Sequence, residues 1–188
     1  MQTAYIGMGA NLPSHAGPPE ATLAAAADRL ESLGHVTNRS SLYSTEPVGI
    51  ADQPRFVNAV VELETELTPR ELLNGLLRIE QEFGRDRSAA IANGPRSLDL
   101  DILLFDGVKI SEPGLEIPHP RLTQREFVLI PLHEIASHLR DLHTGQMLSQ
   151  TLDTLRASTG NDSDAVVPIQ SEIWRAGAGV GRAGSGAA

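Results

Sequence analysis

The run Ser97-Leu98-Asp99-Leu100-Asp101-Ile102-Leu103-Leu104-Phe105 constrains this chain more than any other stretch. Leu98, Leu100, Ile102 and Leu104 recur at every second position, the period of a strand with one buried face. Asp99 and Asp101 fall between them, so both carboxylates share the opposite face. Such a strand needs a sheet with a core behind it, and it carries its two acids away from that core. Two carboxylates side by side repel unless a cation lies between them or one is protonated. Mg²⁺ suits a hard oxygen pair and usually comes with phosphate oxygens, and two carboxylates can bridge two such ions along a polyphosphate. Taken alone, an Asp-X-Asp tripeptide is more often a solvated edge or an arginine partner.

The flanking residues raise the weight of the metal reading. Gly84-Arg85-Asp86-Arg87 precedes the strand, Gly94-Pro95-Arg96-Ser97 adjoins it, and His119, Arg121 and Arg125 follow in an irregular segment. The chain is acidic, with 15 basic against 24 acidic residues and a net charge of −9, so a local concentration of arginine beside paired aspartates stands out. Guanidinium forks match phosphate oxygens. Surface Arg–Asp salt bridges are the alternative, worth little energetically, and on these residues alone the two readings are even.

Composition excludes several classes. There are no cysteines, which removes disulfides, iron–sulfur clusters and zinc–thiolate sites. The acidic balance opposes nucleic-acid binding. No apolar run is long enough to span a bilayer, and the N-terminal residues lack a signal-peptide pattern, so no membrane partner and a cytoplasmic location are expected. Gly7-Met8-Gly9-Ala10 is not a dinucleotide fingerprint, and no Walker A motif occurs.

Periodicity and turn residues predict strands over 2–8 (stopped by Gly7, Gly9 and Asn11), 35–44, 56–65 and 98–105. Helices are predicted over 20–33, from the Thr68 N-cap to Phe83, over 127–135 and over 147–156. Thr68, Pro69 and Glu71 form a capping-box pattern. Residues 46–54, 85–97 and 113–125 read as irregular. The order strand–helix–strand–strand–helix–strand points to an α+β, ferredoxin-like domain, a mainly antiparallel sheet with helices on one face. Its expected extent is 1–157, with a flexible C-terminal tail over 158–188 where the chain turns polar and then Gly/Ala-rich.

Several ordered blocks together resemble the 6-hydroxymethyl-7,8-dihydropterin pyrophosphokinase family. The strongest is Gly94-Pro95-Arg96-Ser97-Leu98-Asp99-Leu100-Asp101-Ile102. Others are Tyr5-Ile6-Gly7-Met8-Gly9-Ala10-Asn11-Leu12, Tyr43-Ser44-Thr45-Glu46-Pro47-Val48-Gly49 and Asp52-Gln53-Pro54-Arg55-Phe56-Val57-Asn58-Ala59. Arg78-Ile79-Glu80, Ile117-Pro118-His119-Pro120-Arg121 and Arg125-Glu126-Phe127-Val128-Leu129-Ile130-Pro131-Leu132 complete the set, over roughly residues 3 to 155. Ala10 stands where a serine is common in the family, Phe56 where some members have tyrosine, and Asn93 where members can carry tryptophan.

The resemblance implies transfer of diphosphate from ATP to the pterin hydroxymethyl group, giving AMP, with ATP as co-substrate, two Mg²⁺ ions and a monomeric enzyme. It implies that Asp99 and Asp101 hold the metals and that Arg85 and Arg96 stabilise the transferring group. Glu80, Arg87, His119 and Arg125 are implied on the ATP side. Thr45, Val48, Phe56, Asn58 and Phe127 are implied around the pterin, with the two phenylalanines stacking on the ring. Loops 46–54 and 84–93 are expected to close over the site. Two rivals come from other classes. A metal-dependent hydrolase or glycosyltransferase would not form AMP from ATP. A ferredoxin-like RNA-binding module would need a basic sheet face, against which Glu62, Glu64, Asp99 and Asp101 argue.

Overall fold

The computed structural model describes residues 1–50, 52–86, 94–142, 144–159 and 166–176. Strand β1 (Gln2–Ala10) leads through helix α1 (Pro19–Leu30) to β2 (His35–Arg39), β3 (Leu42–Thr45) and β4 (Phe56–Thr65). Helix α2 (Pro69–Glu82) then precedes β5 (Asp99–Phe105), followed by β6 (Ile110–Glu112), β7 (Leu115–Ile117), α3 (Glu126–Ile135), α4 (Leu148–Thr159), β8 (Val166–Ile169) and α5 (Glu172–Ala176). Among the described residues the main sheet has the order β5-β1-β4-β3-β8, with β2 also on β4. All its pairings are antiparallel. With β2 and β3 counted as one broken strand, this is the expected α+β, ferredoxin-like plan.

Alternation explains the sheet's first face. Ile6, Met8 and Ala10 of β1, Val57, Ala59 and Val61 of β4, and Leu98, Leu100 and Ile102 at β5 all join one apolar cluster with the buried faces of α1 and α2. Helix α2 starts on the capping box, Thr68 N donating to Glu71 Oε2 at 2.9 Å and Glu71 N to Thr68 Oγ1 at 3.3 Å. Gly84 ends it at φ +86°. The two glycines of β1 do not stop the strand, which continues to Ala10. They lie on the second face, where a Cβ on Gly9 would sit 2.8 Å from Asn58 Oδ1. Likewise Gly34 is required less by the end of α1, which closes at Leu30, than by Glu64 O, 2.3 Å from where its Cβ would be.

The structure departs from the sequence expectations in five further places. The strand expected over 35–44 is broken at Ser40, which replaces ladder bonds by accepting Val60 N on its hydroxyl at 2.9 Å. In β5 the register with β1 steps from Ile6↔Ile102 to Tyr5↔Leu104, which leaves Leu103 as a bulged residue. Leu104 therefore turns to the second face with Leu103, while Phe105 returns to the first. The segment expected to be irregular contains the short β6–β7 hairpin. Helices also cover both faces: Tyr5, Val60, Leu103 and Leu104 need apolar cover, and Val128, Leu129 and Leu132 of α3 with Leu152 of α4 provide it.

The fifth departure concerns the chain beyond residue 157. Its polar composition led to the expectation of a flexible tail, yet β8 pairs along the whole of β3, Leu42↔Ile169 to Thr45↔Val166. In α5, Trp174 is 4% exposed within the main apolar cluster, and its Nε1 donates to Ser40 O at 2.7 Å. One large aromatic thus outweighs a polar neighbourhood. The remainder of that expectation, at 160–165 and 177–188, lies outside the described residues. Trp174→Ala should lower unfolding stability by about 3–5 kcal/mol, the usual cost of emptying a buried aromatic site. Urea denaturation checks this, and a loss within about 0.5 kcal/mol, the scale of an ordinary surface substitution, would contradict the packing.

Candidate active site

The second face of β1, β4 and β5 is open at one end, and a groove runs across it. Asp99 and Asp101 form its floor on β5, facing away from the buried Leu98 and Leu100 as the two-residue period requires. At one end a cleft of about 490 Å³ is lined by Thr45, Val48, Phe56, Asn58, Arg96 and Phe127. A second hollow of about 420 Å³ holds Asp99, Asp101, His119 and Arg125, and it shares Gly9, Asn58, Asp99, Arg125 and Phe127 with the first. One continuous site therefore has an aromatic slot at one end and paired carboxylates with cations at the other.

Each side chain is held by a named element. Asn58 is buried on β4, where its Nδ2 donates to Thr45 Oγ1 at 2.7 Å. This bond directs Asn58 Oδ1 toward Gly9, which has no Cβ to obstruct it. Phe56 lies on the same face of β4, with the Arg96 guanidinium 5.6 Å from its ring centre. Phe127 stands in the first turn of α3, with the Arg125 guanidinium 5.4 Å from its ring centre. His119 is set beside β5 by its own amide, which donates to Leu103 O at 2.9 Å. Its Nδ1 accepts Arg121 N at 3.1 Å, so a neutral ring carries its proton on Nε2, 4.0 Å from Asp101 Oδ2. Burial, then Arg125 and Arg121, lower its pKa and favour that neutral form.

The electrostatic centre is Asp99. Arg96 Nη1 donates to its Oδ2 at 2.7 Å, and Arg85 Nη1 pairs with its Oδ1. Behind the strand lies Glu80 of α2, fully buried, whose Oε1 accepts Arg85 Nη1 at 2.8 Å and Leu100 N at 2.9 Å. A buried carboxylate loses several kcal/mol of hydration, and these charged and amide donors offset that loss. Burial works against the Arg85 charge, but Asp99 and Glu80 outweigh it and its pKa is raised. For Asp101, burial and then the charges of Asp99 and Glu80 push the pKa up to about 6, opposed by Arg85 and Arg125. The side chain nevertheless keeps 42% of its surface open to the groove. Burial and Arg121 lower the pKa of Arg125, whose guanidinium remains charged at neutral pH.

Most of the residues expected at the site converge here. Glu80, expected on the ATP side, is sealed in the interior, where it accepts from Arg85 and the Leu100 amide. Arg87 and Asn93 lie outside the described residues, as does most of the loop expected over 84–93. Sequence reasoning assigned no role to Glu46 or Asn11. Glu46 lines the aromatic cleft and pairs with Arg55. Asn11, 3% exposed, accepts Arg96 N at 2.8 Å and donates to Gln53 Oε1 and Pro54 O, each at 3.0 Å. It thereby ties two site-flanking segments to the end of β1. A polar residue directly after a glycine-containing strand was the available signal, but its partners are 42 and 85 positions away.

An antiparallel α+β fold thus carries paired carboxylates facing arginines beside an aromatic slot. Residues 5–137 match the family model for 7,8-dihydro-6-hydroxymethylpterin-pyrophosphokinase (HPPK), and the chain belongs to that family. A 2-amino-4-hydroxy-6-hydroxymethyldihydropteridine pyrophosphokinase from Haemophilus influenzae is 47% identical over 141 residues, covering 74% of this chain and 84% of that protein. One from Pseudomonas aeruginosa is 43% identical over 154 residues, covering 81% and 91% respectively. The fold is similar to that of a Plasmodium falciparum HPPK-DHPS triple mutant, with a TM-score of 0.70 at 15% identity over 90% of this chain. This chain spans 47% of that longer protein.

The raised pKa of Asp101 has a stability consequence. Its folded value of about 6 exceeds the ordinary 3.8, so ionisation disfavours the fold. That penalty is absent below pH 3.8 and complete above pH 6. In EDTA at pH 8, Asp101→Asn should stabilise the ligand-free protein by about 1 kcal/mol, once solvent screening of this partly exposed group is allowed for. The gain should vanish near pH 4, and thermal unfolding at both pH values checks it. Equal gains at the two would contradict the assignment.

Proposed function

We propose that this chain transfers the diphosphoryl group of ATP to the hydroxymethyl oxygen of 6-hydroxymethyl-7,8-dihydropterin, releasing AMP, in folate biosynthesis. Membership of the HPPK family and the names of its relatives support this reaction. The observation that carries the site assignment is the pair Asp99 and Asp101 on one strand face, adjoining a slot bounded by Phe56 and Phe127.

The donor set suits Mg²⁺. It consists of two carboxylates, and among the described residues no cluster of three or more metal-binding side chains occurs. Mg²⁺ is characteristically held in this way, by one or two carboxylates with substrate phosphates and water completing its shell. Asp99 and Asp101 would hold two Mg²⁺ ions, which would supply charge neutralisation at the triphosphate. Arg85 and Arg96, both paired with Asp99, offer their forks to phosphate oxygens and stabilise the transferring group. His119 donates from Nε2, and Arg125 with Arg87 adds charge along the nucleotide.

On the acceptor side, Phe56 and Phe127 stack on the flat ring. Asn58 has Nδ2 committed to Thr45, so its Oδ1 accepts from the pterin's N–H edge. Val48 lines the same slot and is 57% exposed. The hydroxymethyl oxygen attacks the β-phosphorus in line, its geometry fixed by the two ends of the groove. No general base is required, because a loose phosphoryl-transfer transition state places little charge demand on the nucleophile. We take a monomer as the working unit. Among the described residues no helix is long and apolar enough to cross a membrane, and we assign the reaction to the cytoplasm.

Incubation with ATP, Mg²⁺ and the pterin alcohol should yield AMP and a diphosphorylated pterin in equal amounts. ADP as the nucleotide product would overturn the proposal. Asp99→Ala and Asp101→Ala should abolish transfer while leaving the far-ultraviolet dichroism unchanged. Arg96→Ala should lower kcat by roughly 10²–10³-fold, the scale of losing a transition-state donor, with pterin affinity changed only a few-fold. An effect confined to pterin binding would remove Arg96 from the phosphate side.

A further inference from the structure

The pterin-side wall of the groove rests on a short strand. β3 has four residues, and its last, Thr45, fixes the Asn58 amide. Beyond Thr45 the chain leaves the sheet at Glu46 and reaches Val48, both of which line the slot. Four residues on a sheet edge fray readily, because an unpaired edge leaves half of the strand's backbone groups to solvent. Here β3 is not the edge. β4 pairs with it on one side, Tyr43↔Asn58 to Thr45↔Phe56, and β8 on the other, ending at Thr45↔Val166. At its start, Glu134 of α3 accepts Ser41 N at 2.9 Å and Tyr43 Oη at 2.9 Å. That tether reaches the first half of the strand, whereas β8 extends to Thr45.

The anchor of β8 is α5. Trp174 sits in the main core, with the Arg39 guanidinium 5.5 Å from its ring centre, and donates to Ser40 O at the break that separates β2 from β3. The chain therefore grips β3 at its Ser40 root through Trp174 and along its length through β8. Pro168 has no N–H and stands opposite Tyr43. Hydrogen-bonded and non-bonded pairs alternate along an antiparallel ladder, so Val167 and Ile169 occupy the bonded positions, against Ser44 and Leu42.

We propose that the β8–α5 segment is a clamp on the pterin wall, in which Val167 and Trp174 are positioning residues acting through β3 on Thr45 and Asn58. This rests on the pterin assignment made above. With the clamp in place, Asn58 and the slot are preformed, and binding does not have to order the strand. Without it, β3 becomes an edge that loosens, and pterin affinity falls while the carboxylate and arginine end, on β5 and the segment before it, is unaffected.

The test uses full-length chains. Val167→Pro removes the ladder donor opposite Ser44 at a position 38% exposed, so little core packing is lost. Trp174→Phe keeps an aromatic in the core and removes the Nε1 donation to Ser40. Ile173→Ala, at a site 59% exposed on the same helix, is the control. Binding of 6-hydroxymethylpterin is measured by calorimetry with a non-transferable ATP analogue and Mg²⁺ present, and analogue binding is measured separately. Amide exchange is followed over Leu42–Thr45 and Asp99–Phe105.

The expected result for Val167→Pro is faster exchange in Leu42–Thr45 alone, a pterin Kd raised about fivefold or more, and analogue binding within twofold. Trp174→Phe should shift the same quantities in the same direction by less, and Ile173→Ala should leave them unchanged. Faster exchange with an unaltered pterin Kd would overturn the coupling, and unaltered exchange would overturn the clamp. Equal losses of pterin and analogue would make the segment a general stabiliser and also overturn it. Failure of the unsubstituted chain to bind pterin would instead refute the functional assignment, and the exchange result would still report whether β8 holds β3.

Discussion

Asp99 is held by two guanidinium groups at the start of a strand whose other face is sealed in the core. Everything at the site is arranged around that carboxylate. Leu98 and Leu100 fix the strand from behind, and Glu80 reaches through from α2 to bond both the Leu100 amide and Arg85. The negative charges of Glu80, Asp99 and Asp101 would not tolerate one another without Arg85, Arg96 and Arg125 close by. Conversely, Arg85 and Arg96 are both held in place by Asp99. Charge balance within the groove explains how a strongly acidic chain gathers cationic side chains at one place.

The two halves of the groove are built on different principles. The carboxylate–arginine end is electrostatic and rests on β5 and the segment before it. The aromatic end is a steric slot that rests on β3, β4 and the first turn of α3. They meet at Gly9 and Asn58, where the absence of one Cβ lets an amide lie across β1. The bulge at Leu103 belongs to the same design. By shifting phase after Ile102, it turns Leu104 as well as Leu103 toward α3 and α4, so that the second face carries polar chemistry at one end and an apolar core at the other.

Much of this was legible in advance because strand period 2 and helix capping are local. The faces of β4 and the first half of β5, the Thr68 capping box and the end of α2 at Gly84 follow from spacing alone. The convergence of Asp99, Asp101, Arg85, Arg96, His119 and Arg125 was also legible, since four of the six lie within 17 residues of one another and the others on one short segment. The burial of Glu80 was not legible, because it depends on a strand amide 20 positions away. Residues 166–176 were assigned to a tail because composition averages over a window, whereas a single tryptophan finds a specific pocket.

Alternation, capping and turn chemistry in the chain itself determined that a half-buried strand would carry two carboxylates on one side, that arginines would flank it, and that the sheet would be antiparallel with helices packed on it. These are properties of near neighbours, and backbone geometry transmits them without reference to the rest of the molecule. Tertiary structure alone decided which segments close the second face, where the phase of β5 slips, that Glu80 faces inward, and that the C-terminal segment braces the strand bearing Thr45. Those outcomes rest on contacts between residues tens of positions apart, where burial and hydrogen-bond satisfaction override local preference.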